Sequence, residues 1–387
     1  MPPLSYASLE RDREPARLGE ILGQCFNISS PEYWDYYANN IGLENFRIVR
    51  QGETLQGGLA LIKMGQWFGG QRVPMTGIAA VGIAPEYRGT GAAKTLMSEA
   101  LRELQTQNIP LSVLYAATQR PYRNAGYEQA GTYCLREIAT DTIILRQSDR
   151  TLPVERLPLE IESFSALYTQ WAKQNPGNLA RPPLLWKLLL EPPGEKVFAY
   201  RLGNEGYVIF RQVPEPKAQL ILLDWVALTP QAVSRLWTFL ADHRSQILSV
   251  QWCGSLVDPL LLALPEQTET LKKQERWMLR IIDVAQALSQ RGYPATVTGE
   301  LHLDINDPLL AENCDRFILH LNSGQPTVTR GGKGSLKLSI RALAPLYTGL
   351  FTPHQLQRIG YLEADEHSLT LATQCFSGSE PWMADKF

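Results

Sequence analysis

The feature that most limits how this chain can fold is Val81-Gly-Ile-Ala-Pro-Glu-Tyr-Arg-Gly-Thr-Gly-Ala-Ala-Lys94 with the runs on either side of it. Ile78 to Ile83 is an apolar run of strand length, and Pro85 ends pairing because it lacks a donor and fixes φ. Met97, Ala100, Leu101 and Leu104 then recur at helical spacing, which puts the first turn of an amphipathic helix at Gly91 or Ala92. The helix start therefore carries Arg88-x-x-Gly-x-Ala93. Free backbone N–H groups and the positive end of the helix dipole meet at such a start, so it suits a phosphate. Gly89, Gly91, Ala92 and Ala93 keep the approach clear, and Arg88 can add a charge-assisted bond to the same anion. Two other phosphate loops fail on spacing. No Gly-Lys-Ser/Thr is present, nor a third glycine with a downstream acid.

A chain of 387 residues predicts two or three domains, and 44% hydrophobic content is ample for their cores. The net charge is −2 and no Lys/Arg stripe forms, so neither nucleic acid nor an anionic membrane is an expected partner. No apolar run approaches the ~20 residues needed to span a bilayer and no signal segment is seen, which reads as a soluble, cytoplasmic protein. Cys25, Cys134, Cys253, Cys314 and Cys375 are widely spaced and odd in number, as reduced, packed thiols would be. His243, His302 and His320 lack any His-Glu-x-x-His spacing, so no metal is expected.

Taken in order, Arg13 to Phe26 and Pro31 to Asn40 read as helices, the second bearing Tyr33, Trp34, Tyr36 and Tyr37. Such aromatics either pack in a core or cover an acceptor at a cleft. Phe46 to Val49, Gly57 to Lys63 and Arg72 to Ala84, with a Gly69-Gly70 turn, read as an antiparallel sheet entering the motif strand. Leu111 to Ala117 is a buried strand that the βαβ rule makes parallel to it. Leu135 to Leu145 reads as a strand, and Arg146 to Pro158 as a boundary. The strand-like Val197 to Leu202, Gly206 to Val213 and Gln219 to Leu228 then enter a helix with Val233, Leu236, Trp237 and Leu240 on one face. Its start is closed to anions, since Thr229 supplies its own cap and Pro230 has no N–H. From Arg276 a third region runs through a helix at Val284 to Gln290 and strands at Val297 to Ile305, Arg316 to Leu321, Thr327 to Arg330 and Ser335 to Ile340. Helices at Ala342 to Gly349 and Thr352 to Ile359 and a last strand at Ser368 to Phe376 complete it.

Arg88, Gly91 and Ala93 fill the Gln/Arg-x-x-Gly-x-Gly/Ala motif of the GNAT acyltransferases, which the chain resembles. By that resemblance Val81, Gly82 and Ile83 offer backbone groups to the pantetheine of acetyl-CoA, and Gly89, Thr90, Gly91, Ala92, Ala93 and Lys94 wrap its pyrophosphate. The two parallel strands of such a fold splay apart, and catalytic side chains sit past the end of the second. There Tyr122-Arg123-Asn-Ala-Gly-Tyr127 is similar to the cofactor-contacting loop of the enhanced intracellular survival (Eis) family, in which the second tyrosine is the general acid; Ala125 stands where that family usually has an aromatic. A phenol near ~10 and a thiol near ~8.5 make such a transfer nearly balanced.

The whole plan resembles that family: an α+β (mixed α/β) chain of tandem GNAT folds, residues 1–150 and 151–274, followed by a sterol carrier protein-like domain, residues 275–387. The resemblance implies a homo-oligomer of hexamer size. It also implies that Phe387, through its α-carboxylate, is the general base, its low ordinary pKa of ~3.3–3.7 raised by burial among aromatics. Trp34, Tyr37, Trp382 and Asp385 are candidates to line the acceptor pocket. The activity implied is direct acetyl transfer from acetyl-CoA to a small-molecule or peptide amine, such as an aminoglycoside-like polyamine or a lysine side chain. A binder of acyl-CoA or lipid without catalysis is the alternative, because fold alone does not prove activity.

Overall fold

Strand-forming and helix-forming stretches follow one another as the patterning sets. The computed structural model describes residues 2–11, 13–28, 31–144 and 149–387. The side chain of Tyr33, the expected strand end at Leu145 and residues 146–148 of the expected boundary lie outside the described residues. β1 (Leu4–Ser8) leads to α1 (Pro15–Phe26) and α2 (Pro31–Ile41). Pro15 opens α1, where a missing N–H costs nothing, and Asn27 closes it in the left-handed region at φ 55°. Antiparallel β2 (Phe46–Gln51), β3 (Thr54–Phe68) and β4 (Gln71–Ile83) follow, with Gly69 and Gly70 at φ 58° and 79° making the last turn. α3 (Ala92–Thr106) buries Leu96, Met97, Ala100, Leu101 and Leu104 along one stripe. After it come β5 (Leu111–Tyr115), α4 (Gln119–Asn124) and β6 (Glu128–Ala139), which ends in a 3-10 turn at Thr140–Thr142 rather than running on to Leu145.

The middle of the chain holds β7 (Val154–Arg156), α5 (Ser165–Gln174), β8 (Leu179–Ala180), α6 (Pro183–Leu190), β9 (Val197–Leu202), β10 (Gly206–Val213), β11 (Gln219–Ala227), α7 (Pro230–Ala241) and β12 (Ser249–Gly254). The last part holds β13 (Thr270–Ile281), α8 (Val284–Gln290), β14 (Gly299–Asn306), β15 (Arg316–Asn322), β16 (Gln325–Arg330), β17 (Leu336–Ser339), α9 (Ile340–Thr348), α10 (Pro353–Arg358), β18 (Leu362–Ala364) and α11 (Glu366–Phe376).

Contacts divide the chain into two units, one made of residues 1–130, 277–378 and Phe387, the other of residues 131–276 and 379–386. In the first unit the described strands run β1-β2-β3-β4-β5-β13, with β4 and β5 parallel and β5 and β13 antiparallel. α3 covers one face of that sheet over Leu61, Ile78, Leu114, Met278 and Ile282. The same unit contains a separate sheet of order β16-β15-β14-β17-β18. The second unit has the order β6-β12-β11-β10-β9-β7, with Trp237 of α7 edge-on to Trp252 in its core. Within it Arg181, almost fully buried, bridges Asp224 at 2.6 Å and Asp385 at 2.7 Å.

One expected strand is a helix. Ser368 to Phe376 belongs to α11, because Asp365 accepts from the Ser368 N–H at 2.7 Å and caps a helix whose Leu369, Ala372, Cys375 and Phe376 are buried. Leu369 and Leu371 imitate a period-two strand only when the cap before them goes unread.

The β3–β4 turn and the loop after α8 meet without room to spare. The Gly292 N–H bonds the Phe68 carbonyl at 3.0 Å, and a Cβ at Gly292 would lie 1.9 Å from the Gly69 carbonyl oxygen. Since neither side of that contact is a flexible side chain, Gly292→Ala is expected to destabilise the protein by about 1–3 kcal/mol. A urea denaturation midpoint equal to that of the parent would refute this.

Candidate active site

The turn before α3 is built open. Gly91 is the N-cap at φ 96° and makes no side-chain cap, and Gly89 lies at φ 83°. The first helical bond runs from the Thr95 N–H to the Gly91 carbonyl at 3.0 Å, so the N–H groups of Ala92, Ala93 and Lys94 have no acceptor among the described residues. A Cβ at Gly89 would meet nothing, and one at Gly91 would meet only Leu4 Cδ1 at 3.9 Å. The space beside these donors is therefore free for a phosphate-sized group. Arg88 is exposed beside it, with Nε 3.4 Å from the Ile83 carbonyl, and Thr90 donates its hydroxyl to the Tyr87 carbonyl at 2.7 Å. The start of α7 contrasts with it, since Thr229 Oγ1 accepts from the Ala232 N–H at 3.2 Å and Pro230 has no N–H.

β4 and β5 pair over three rungs only: Met75 with Leu111, Thr76 with Ser112, and Gly77 with Val113. Beyond them β4 continues to Ile83 and β5 to Tyr115 without pairing to each other, which leaves a notch. The cause lies in β4. Ala80 takes φ 50° at a bulge where the register with β3 jumps from Ala60↔Ala79 to Gly58↔Gly82. Gly82 and Ile83 then hold to β3 along one edge and present the other to the notch, and Gly82 is pressed on α1, where a Cβ would lie 2.6 Å from Leu22 Cδ2. The small residues Ala79, Ala80 and Gly82 are the bulge's only trace in the sequence.

Past β5, Gly126 at φ 89° lets the chain turn so that the Tyr127 N–H bonds the Tyr122 carbonyl at 3.0 Å. Tyr127 is fully buried, Tyr122 meets its ring edge-on at 6.3 Å, and its hydroxyl lies 2.7 Å from Ser112 Oγ. Burial drives the phenol well above its ordinary value, against the opposing pulls of Ser112 and the Arg280 charge. It is a firmer holder of its proton than the near balance with a thiol expected from reference values. The Arg123 guanidinium is engaged by Glu128, at 3.0 Å through Nε and 2.7 Å through Nη2, and Arg341 bonds the same carboxylate at 2.6 Å. Arg123 thus ties down the loop.

Phe387 lies at the last rung. A Cβ at Gly77 would stand 2.4 Å from its Cε2, and its ring is 6.2 Å from that of Tyr115, edge-on. Successive side chains alternate faces along a strand, so Thr76 and Ser112 share one face with Tyr127, while Gly77 and Tyr115 share the other with Phe387. Tyr127 and the ring of Phe387 therefore flank the mouth of the notch from opposite faces.

The four candidate acceptor residues are divided between the two units. In the first unit Trp34 and Tyr37 pack edge-on against Phe46 at 5.4 and 6.3 Å. In the second, Trp382 is buried and hydrogen-bonded through its backbone to Pro176, and Asp385 is held by Arg181. Among the described residues no group of three or more His, Cys, Asp or Glu side chains is placed to hold a metal, and no helix is long and apolar enough to cross a membrane.

Acetyltransferase (GNAT) domain families match residues 11–130 and 177–281, and a sterol carrier protein domain family matches residues 284–384. Over all of both chains the sequence is 49% identical to a GCN5-related N-acetyltransferase of Anabaena variabilis, with a TM-score of 0.96 between the structures. The chain belongs to the GCN5-related N-acetyltransferases. Two acetyltransferase modules followed by a sterol carrier module make it Eis-like. It is 26% identical to N-acetyltransferase Eis of Mycobacterium tuberculosis over 316 residues, covering 77% of this chain and 76% of Eis. It is 28% identical to an uncharacterized N-acetyltransferase of Streptomyces avermitilis over 349 residues, 82% of this chain and 83% of that one. As a GCN5-related N-acetyltransferase it takes acetyl-CoA as co-substrate and an amine as acceptor. The open donors at Ala92 to Lys94 fit the pyrophosphate of that co-substrate.

Gly91→Val should weaken acetyl-CoA binding, because a branched side chain at φ 96° both strains the turn and fills the cradle. Arg88→Ala should remove a charge-assisted contact of roughly 1.5–3 kcal/mol. Calorimetric titration measures both; parent-like affinity in the two folded variants would reduce the loop to a mere turn.

Proposed function

We propose that this GCN5-related N-acetyltransferase transfers acetyl directly to a primary amine, that of an aminoglycoside-like polyamine or of a lysine side chain, with Tyr127 as general acid and the α-carboxylate of Phe387 as general base. The observation that carries this reading is the position of Tyr127 and of the Phe387 ring, on opposite faces of the last β4–β5 rungs, where the strands part. In such a transfer the nucleophilic nitrogen forms a bond to the acetyl carbon, the bond from that carbon to sulfur breaks, and two protons must move. The nitrogen sheds one, for which a carboxylate is a suitable acceptor. The departing sulfur gains one, and the Tyr127 phenol carries a proton at neutral pH to give it, although burial makes that proton harder to release. The backbone of Val81 to Ile83 and the donors at Ala92 to Lys94 would hold the co-substrate so that its thioester lies in the notch. The acceptor class rests on the family resemblance.

Release of free thiol from acetyl-CoA, followed over a panel of aminoglycosides and lysine peptides, tests the acceptor. Tyr127→Phe keeps the ring and deletes the proton, so kcat should fall by about 10²–10⁴ while acetyl-CoA binds as before. An undiminished kcat returns Tyr127 to a packing role. Residues appended after Phe387 turn its carboxylate into an amide, and most transfer should then be lost with acetyl-CoA affinity retained. Normal turnover of such an extended chain would rule the carboxylate out as the base.

A further inference from the structure

A row of buried polar side chains crosses the first unit beneath Tyr127. Thr76, Ser112 and Arg280 face one another on adjacent strands, Thr76 with Ser112 in the β4–β5 ladder and Ser112 with Arg280 in the β5–β13 ladder. All three are fully buried. Ser112 meets the Tyr127 hydroxyl, but Thr76 Oγ1 and the Nε and Nη1 of Arg280 have no hydrogen-bond partner among the described residues. Three unpartnered polar atoms in one row are costly, because a buried donor without an acceptor forfeits its hydration. The Arg280 head is nonetheless held firmly. Its Nη2 bonds both Asp307 oxygens at 2.8 and 2.6 Å, and Asp307 is in turn fixed by Asn313 Nδ2 at 2.9 Å and by the N–H groups of Leu309 and Leu310. Its unpaired edge lies against Gly126, where a Cβ would stand 2.8 Å from both Cζ and Nε.

We propose that Arg280, held by Asp307, is a positioning residue for the acid step: with the Ser112 hydroxyl it forms a cationic seat for the Tyr127 oxygen as that oxygen gives up its proton. The inference rests on Tyr127 being the acid. When the proton leaves, the phenol O–H bond breaks, an S–H bond forms on the departing sulfur, and negative charge stays on the Tyr127 oxygen until a solvent proton restores it. A buried phenolate needs donors already in place, and donors without a ground-state partner are those whose interaction strengthens in the transition state. The opposing effects on the phenol agree with this: burial raises its proton affinity, and Ser112 and the Arg280 charge lower it.

Because Arg280→Met alone would strand a buried carboxylate, the test pairs it with Asp307→Asn, and a milder variant, Ser112→Ala, reports on the same seat. Each is measured for acetyl-CoA affinity by calorimetry, for kcat, and again with 3,5-difluorotyrosine, a ring of similar size with a more acidic phenol, at position 127. The expected result is unchanged affinity, kcat lowered roughly tenfold or more, and recovery of most of that loss with the fluorinated ring. Parent-like kcat in the folded variants, or a loss the fluorinated ring leaves in place, overturns the proposal. If the paired variant does not fold, Ser112→Ala decides by the same two criteria. Tyr127→Phe is run beside them, and full activity there would sink the acid assignment itself rather than the role of Arg280.

Discussion

The early end of the β4–β5 ladder is the constraint on which the first unit depends. A parallel pair normally exchanges hydrogen bonds along its whole overlap, yet here three rungs form and the strands then separate. Ala80 in the left-handed region is the local cause, since a bulge adds a residue to one strand and turns it away from its neighbour. β5 compensates on its other edge, pairing with β13 from Leu111 to Tyr115. The sheet thus keeps its mechanical continuity while a gap with unpaired backbone edges opens inside it. A gap of this kind inside a sheet gives a ligand main-chain donors and acceptors on rigid elements.

Much of this was legible in the residues. The limits of β9 and β10 and of α8 coincide with runs read from patterning alone, and Gly91 stands where the motif helix was expected to begin. Short helices fared worse. α5 and α6 leave little pattern, because Ser165 to Gln174 shows little contrast between its faces and Pro183-Leu-Leu-Trp-Lys-Leu-Leu-Leu190 is apolar almost all round, while α11 carries strand-like alternation at Leu369 and Leu371 and declares itself a helix only through its cap at Asp365. In the site, Tyr127 could be picked out, but its burial against Ser112 could not, since the two residues come from different elements fifteen positions apart. Arg280 gave no sign of its place. In sequence it is one more cation in Arg276-Trp-Met-Leu-Arg280, and only the register of β13 on β5 puts it opposite Ser112.

Buried charge is handled differently in the two units. In the second, Arg181 is surrounded: Asp224 and Asp385 take its donors, and Tyr168 and Trp186 lie under its plane at 3.9 and 4.9 Å. Two carboxylates against one guanidinium leave the cluster with a surplus of negative charge, and burial raises Asp385 above the ordinary carboxylate value. In the first, Arg280 has a single carboxylate and keeps an unpaired edge. The first arrangement is saturated and suits a structural anchor; the second is left incomplete beside a phenol.

The two strand-to-helix turns differ in whether the chain satisfies its own helix donors. The start of α7 is completed by its own hydroxyl, and caps of that kind contribute about 1 kcal/mol to a helix. The start of α3 forgoes that contribution and keeps its donors for something outside the chain. Closing such a turn to an anion requires no damage. A threonine and a proline suffice, and each step makes the helix more self-sufficient, so drift toward the closed form is downhill in stability. The open turn is the state that selection must actively hold, and in a set of related chains it marks the module that still has a ligand to meet.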